Sequence, residues 1–301
     1  MQPFYNEQQT MLATTVRQFA AENLAPRADE VDEKEVFPID QFRGLAELGL
    51  TGMTVPEEFG GSGGEYKDFM VVLEEVGAAC GSTSTVLITH VSLGSQTIYH
   101  GGSDEQRQRW LPSLASGKKI SAFALTEAGT GSDALALETS LTRVKNAEGK
   151  DEYVLNGSKL FCTNGAVADV FSVFTNHDKD AGHKGVTAVV VEKGTPGFTI
   201  NPQHGKMGMK GCAPAELVFD NCRIPIENRL GEEGEGYKLA LKILDSSRIM
   251  IAAQCLGLAK GALDAALSYS KQRNTFGKPI ATRQAIQFMK ATHLPSCRSL
   301  R

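Results

Sequence analysis

The 301-residue sequence has no excess of positive charge, no paired cysteines and no GxGxxG fingerprint. Each absence excludes something. A formal net charge of −4 and a pI near 5.9 argue against a nucleic-acid partner, which is normally met by a basic face. A local site for a phosphorylated small molecule stays open. The six cysteines, Cys80, Cys162, Cys212, Cys222, Cys255 and Cys297, form no C-x-x-C pair. No Cys/His spacing suits zinc, so no metal is expected and most of the thiols read as scattered and buried. No apolar run approaches the ~20 residues that span a bilayer. The N-terminal stretch MQPFYNEQQTMLATTVRQFAAEN is polar and helical in period, without the layout of a secretory leader. No membrane partner and a cytoplasmic location are expected. No internal repeat is visible.

What is present divides by texture. Residues 1–118 read as helix after helix. Leu12, Val16, Phe19 and Ala20 recur at helical spacing, with Pro26 ending the run. Asp40 suits a cap for a helix carrying Phe42, Leu45 and Leu48, and Gly49 is placed to stop it. Two further helical runs, 67–76 and 82–99, lead to a short helix opened by Ser103, Glu105 and Gln106. From 119 to 229 the segments are short, β-branched and turn-punctuated, as in ISAFALTE, EYVLNGSK, VFSVFTN, GVTAVVVEK and AELVFDN. That series predicts a compact β domain, sandwich or barrel. From 230 to 301 helix formers return, broken at NTFGKP and restarting at ATRQAIQFMK. The fold class expected is α+β: an N-terminal helical domain, a middle β domain and the start of a C-terminal helical bundle.

The segment FALTEAGTGSD, residues 123–133, runs an apolar strand into a glycine-spaced loop. Such a loop presents backbone N–H groups, and glycine lets a ligand approach because no Cβ intervenes. Ser132 adds a hydroxyl. Taken alone, GTGSD reads as an ordinary turn. No helix follows the strand, so a dinucleotide fingerprint is disfavoured.

Its company is more specific. LNGSKLFCTNG, KMGMKGCAPAELVFDNCRIPIEN, LDSSRIMIAAQCLGLAKGA and SKQRNTFGKPIATRQAIQF follow in order. Together the five segments resemble the acyl-CoA dehydrogenase family, butyryl-type members most, from the first helix to about Met289. That resemblance implies a flavoprotein of fatty-acid β-oxidation that binds FAD between the β domain and the C-terminal helices. By match to the family segments, Phe123, Leu125 and Thr126 would contact the isoalloxazine ring, partly through backbone. Gly131 and Ser132 would lie at the pyrophosphate, with Ser132 also reaching the substrate arm. Thr163 would approach the hydride-accepting nitrogen, and Phe161 stands where many members carry tryptophan. Tyr237, Asp245 and Arg248 would line the acyl-CoA arm. Arg273, Phe276 and Gln284 would reach the FAD of a neighbouring subunit in a homo-oligomer, a homotetramer in complete members. An electron-transferring flavoprotein would be the acceptor. On their own, Phe161 reads as core, Thr126 as a strand-end hydroxyl, Asp245 with Arg248 as a surface ion pair, and Arg273 as a solvated cation.

The resemblance also implies α,β-dehydrogenation of a short- or medium-chain acyl-CoA thioester, with a glutamate taking the α proton. No matching glutamate is found, so no catalytic residue is assigned. Where some branches place the base, this sequence has Ser247. The ending ATHLPSCRSLR departs from the family helix, with Pro295 expected to break it. A shortened or frameshifted chain of low stability and weak FAD affinity is the expectation. A non-catalytic FAD/acyl-CoA-binding remnant, or a flavin monooxygenase or nitroalkane oxidase, are the alternatives; Asp245 and Arg248 speak against the last two.

Overall fold

The computed structural model describes residues 5–299, with side chains as far as residue 292. Cys297 therefore lies outside the described side chains. The first helix, α1 (Glu7–Phe19), opens on a reciprocal cap. Asn6 accepts from the Gln9 N–H while Gln9 accepts from the Asn6 N–H. Pro26 does not end this run. The chain passes through a π turn (Ala20–Leu24) and a tight turn (Ala25–Arg27) directly into α2 (Ala28–Glu33). The proline falls in the first positions of the tight turn, where its missing N–H forfeits nothing.

The next helix, α3 (Ile39–Glu47), starts at Pro38, so Asp40 is not the cap. It sits inside the first turn, where a carboxylate still faces the positive helix end. Gly49 stops the helix at φ +75°, as expected. After α4 (Tyr66–Ala79), α5 (Gly81–Ile88) runs through a π segment (Thr89–Ser95) into α6 (Gln96–Gly101). The last helix of this region, α7 (Asp104–Ala115), is capped reciprocally by Ser103 and Gln106.

Eight strands form one sheet: β1 (Ser121–Ala124), β2 (Ser140–Lys145), β3 (Asp151–Cys162), β4 (Val170–Asn176), β5 (Val186–Glu192), β6 (Phe198–Pro202), β7 (Ala215–Pro225) and β8 (Arg229–Leu230). The order is β6-β7-β3-β2-β4-β5-β8, with β1 parallel to β4. Residues of β7 and β3 share a buried cluster with Phe171, Val173, Val189 and Val191 of β4 and β5. The Phe198 ring meets Phe171 edge-on at 4.9 Å. Strands distant in the order thus touch, and the sheet folds into two facing layers, the first of the two forms, sandwich or barrel, expected from the sequence. The opposite faces of β4 and β5, through Val170, Phe174, Val186, Ala188 and Val190, pack against Trp110, Leu111, Leu114 and Ile243 of the helices. Burial on both faces explains why these two strands read as continuous apolar runs rather than alternating ones.

The chain then enters α8 (Gly236–Gln272), about 55 Å long at 1.5 Å per residue. A small hairpin, β9 (Asn274–Thr275) and β10 (Lys278–Pro279), leads to α9 (Gln284–Ser299). The backbone of α9 remains helical across Pro295, so the expected break there does not occur. Glycine sets the crossing of α4 and α8. A Cβ on Gly257 or Gly261 would collide with the carbonyl oxygens of Glu74 or Ala78. One window of α8 is long and apolar enough to cross a bilayer, with mean hydropathy 1.3. This corrects the expectation that no such run exists. Length and composition do not separate a spanning helix from a bundle helix, and α8 packs on α4, α5 and β5.

Candidate functional site

Two chain segments meet at one edge of the β layers. The first leaves β1, the second ends β3. The Leu160 N–H donates to the Thr126 carbonyl at 2.8 Å, and the Cys162 thiol donates to the Phe123 carbonyl at 3.3 Å. Phe123, Leu125 and Thr126 therefore lie beside Leu160–Thr163. The Phe123 ring itself turns inward, 4.9 Å from the Phe174 ring, so its outward-facing contribution is backbone.

Phe161 is 69% exposed, contrary to its reading as core. The register of β3 against β7 slips between Lys159 and Cys162, and Phe161 takes φ +55°. A bulge of this kind re-aims a side chain. A left-handed conformation costs a non-glycine residue roughly 1–2 kcal/mol, so the outward ring is held against a local penalty. Asn164, at φ +64°, anchors the turn that follows. Its Nδ2 donates to the Val86 and Ser121 carbonyls and its N–H to Cys212. Its Oδ1 is buried and unpartnered among the described residues. Cys162, beneath the bulge, is held inert because burial pushes its thiol up to about 12.

The loop beyond Thr126 is open. A Cβ at Gly129 or Gly131 would meet nothing within 4 Å, so the chain's own packing does not demand these glycines. Among the described residues, the N–H groups of Thr126, Gly131 and Ser132 find no acceptor, nor do the hydroxyls of Ser132 and Thr163. An outward apolar ring next to Thr126, followed by a loop with unspent donors, suits a flat, electron-accepting heterocycle carrying phosphates.

The remaining expected residues lie elsewhere. Tyr237 is half-buried in the first turn of α8, against the helical side of the sandwich. Asp245 and Arg248 form an exposed pair at 3.2 Å, with side chains 74% and 69% accessible. A pair so solvated adds little stability, which leaves both groups available to a ligand. Ser247 is buried and donates to the Leu244 carbonyl. Arg273 closes α8, some 25 residues and about 37 Å of helix past Arg248, while Phe276 lies in the hairpin and Gln284 opens α9. Phe276 is 95% exposed under the Arg283 guanidinium at 5.3 Å. Among the described residues, no hydrogen bond or ring contact joins these three to the loop.

Sequence reasoning missed Glu127, Lys159 and Asn164. Glu127 and Lys159 form a buried ion pair under the loop, at 2.5 Å. Only a charged residue inside each of two apolar strand ends, thirty-two positions apart, signalled them. His90 was missed too. It is fully buried, its Nε2 3.0 Å from the Leu114 carbonyl and its Nδ1 accepting the Ser121 N–H, where β1 begins. No metal-binding cluster occurs among the described residues.

A helical unit, a two-layer β unit and a long helical arm follow one another along the chain, with open donors at the edge of the β layers. Family models agree. The acyl-CoA dehydrogenase N-terminal, middle and C-terminal domain models match residues 6–118, 122–222 and 234–301. The chain belongs to the acyl-CoA dehydrogenase family. It is 44% identical over 281 residues to an acryloyl-CoA reductase (NADH) of Anaerotignum propionicum, covering 93% of this chain and 70% of the relative. It superimposes on butyryl-CoA dehydrogenase of Megasphaera elsdenii with a TM-score of 0.92 at 39% identity, covering 99% of this chain and 78% of that one. An acyl-CoA dehydrogenase of Bacillus anthracis complexed with FAD gives 0.91 at 35% identity, covering 100% of this chain and 50% of that one.

Proposed function

We propose that this chain is an FAD-dependent oxidoreductase acting on the α,β carbon–carbon bond of short-chain acyl-CoA thioesters. The observation that carries the reading is that Thr126, Gly131, Ser132 and Thr163 keep donors unspent on two segments that meet at the outward Phe161 bulge. FAD, when bound, supplies a two-electron acceptor. Backbone at Phe123, Leu125 and Thr126, with Phe161 and the Thr163 hydroxyl, holds its ring. Gly131 and Ser132 neutralise its pyrophosphate through N–H groups. The acyl-CoA arm lies along Ser132, Tyr237, Asp245 and Arg248, with the solvent-exposed Arg248 guanidinium able to exchange its pairing with Asp245 for an anionic or carbonyl group. Ser247 has no basicity to take an α proton. Arg273, Phe276 and Gln284, which among the described residues make no hydrogen bond or ring contact with their own loop, complete the site of a second copy. An electron-transferring flavoprotein receives the electrons, and the working units are residues 1–118, 119–229 and 230–301.

The similarity to an acryloyl-CoA reductase favours a second reading, the same site run as an enoyl-CoA reduction. An anaerobic titration tests both. The chain is loaded with FAD, and the flavin absorbance is followed on adding butyryl-CoA; the FAD-loaded chain is then reduced and crotonyl-CoA added. Bleaching by butyryl-CoA supports dehydrogenation, and reoxidation by crotonyl-CoA supports reduction. A perturbed spectrum without redox change reduces the reading to binding. An unchanged spectrum with both thioesters overturns it.

A further inference from the structure

Lys159 has no accessible side-chain surface. A primary ammonium in such a place is expensive to bury, and an apolar pair of equal volume often stabilises a core better. The arrangement around it ties the loop together. Lys159 Nζ donates to Glu127 Oε1 at 2.5 Å and to the Leu125 carbonyl at 3.2 Å. Glu127 also accepts the Glu138 N–H at 2.6 Å and the Thr139 N–H at 3.1 Å. One carboxylate therefore joins the residue that opens the glycine-spaced segment to the two residues that close it. Inside the segment, Glu127 and Thr130 exchange backbone bonds, and Thr130 Oγ1 donates to the Ala136 carbonyl at 2.7 Å. Ala128, Gly129, Gly131, Ser132, Asp133, Leu135 and Ala136 are all exposed, so packing does little to fix them.

We infer that Lys159 and Glu127 are positioning residues for the cofactor loop: together they close its neck, hold the Leu125 carbonyl, and aim the free N–H groups of Thr126, Gly131 and Ser132. The inference rests on the reading of that loop as an FAD site. The charge state suits the task. Burial brings the Lys159 ammonium down to about 8 while the Glu127 charge resists the fall. Burial opposes ionisation of Glu127, but Lys159 and the two N–H groups overcome it and hold the carboxylate below its ordinary range. Both partners remain charged at neutral pH. An apolar replacement would fill the space yet could accept neither N–H.

Three forms of the 301-residue chain decide the matter: wild type, Lys159→Met, and Lys159→Met with Glu127→Leu. Each is titrated with FAD by flavin fluorescence, melted without FAD, and compared by visible circular dichroism of the bound flavin. Lys159→Met is expected to weaken FAD binding about 10- to 100-fold, the range for losing a group that orients a site from behind. The double variant is expected to regain melting temperature without regaining affinity, and to show an altered flavin spectrum. Affinity that recovers together with the melt overturns the inference, as does wild-type affinity in Lys159→Met. Glu127→Gln, which keeps an acceptor, is a second variant for the case in which Lys159→Met does not fold. Weakened binding is expected there too, and unchanged affinity overturns the inference. A wild-type chain that takes up no FAD removes the cofactor reading itself, a result distinct from any difference among the variants.

Discussion

Thr163, Asn164 and His90 show three fates for a polar side chain near one site. Thr163 keeps its hydroxyl free, Asn164 spends its amide on two carbonyls, and His90 is buried whole. Thr163→Val removes only the hydroxyl at nearly constant volume. Its expected effect is a roughly 5- to 10-fold weaker FAD affinity, the worth of one hydrogen bond, with the apo melting temperature unchanged. Asn164→Ala forfeits two buried bonds in a left-handed turn, so a loss of about 2–3 kcal/mol in urea unfolding is expected. His90 is held down to about 4 by burial, so the folded state resists its protonation. Between pH 6.5 and 4 the unfolded chain binds this proton and the folded chain does not, so stability falls as pH falls. Over pH 6.5 to 5 that amounts to about 2 kcal/mol. Urea midpoints followed by the buried Trp110 should show the decline. His90→Gln should lessen it without abolishing it, because His100 is lowered as well, to about 4, by its partial burial and then by Lys242 and Arg107.

Helices and strands differ in how plainly they announced themselves. The cap at Ser103, the stop at Gly49 and the run of α8 follow from local chemistry, which a sequence displays directly. The continuation past Pro26 does not, because the chain there is held by packing, with Leu24 and Val31 buried, as well as by its propensities. The α4–α8 crossing shows the same limit. Glycine inside a helix normally costs about 1 kcal/mol against alanine. At Gly257 the neighbouring Glu74 carbonyl reverses the sign. Gly257→Ala is expected to destabilise the chain by roughly 1–3 kcal/mol, as overpacking does. A lowered urea midpoint with an unchanged slope would confirm it; a raised midpoint would show that the helices separate freely.

Across the whole molecule, polar clasps join the helical and β parts. Trp110 and Arg109 on α7 reach Glu192 at the end of β5. On the helical side, Arg17 and Lys260 converge on buried Glu75. Burial there opposes the Glu75 charge, but the hydrogen bonds from Arg17 and Lys260 keep the carboxyl below its usual range. Opposite these clasps, α8 turns Leu241, Ile249 and Ile251 outward, each at least 40% exposed. A groove of about 570 Å³ between α1, α4 and α8 contains no residue of the β layers, so it stands apart from the loop and bulge. Exposed apolar surface of this kind drives association. Ile249→Lys with Ile251→Lys is expected to shift the chain towards a monomer in size-exclusion chromatography, and an unchanged elution profile would show that this face takes no part.

The three textures, the stops at Gly49 and at the end of α8, and the ordered segments that mark the family are legible in the sequence alone, because periodicity, caps and turn residues act over a few positions. The sequence also carried the loop and the bulge as separate stretches. That they meet, and that Phe161 faces outward, came only with the tertiary structure. Those outcomes depend on contacts between distant segments, a register slip and a strained φ. The Glu127–Lys159 pair is of the same kind: two charges thirty-two residues apart acquire a common purpose only when two strand ends are laid side by side and closed off from water.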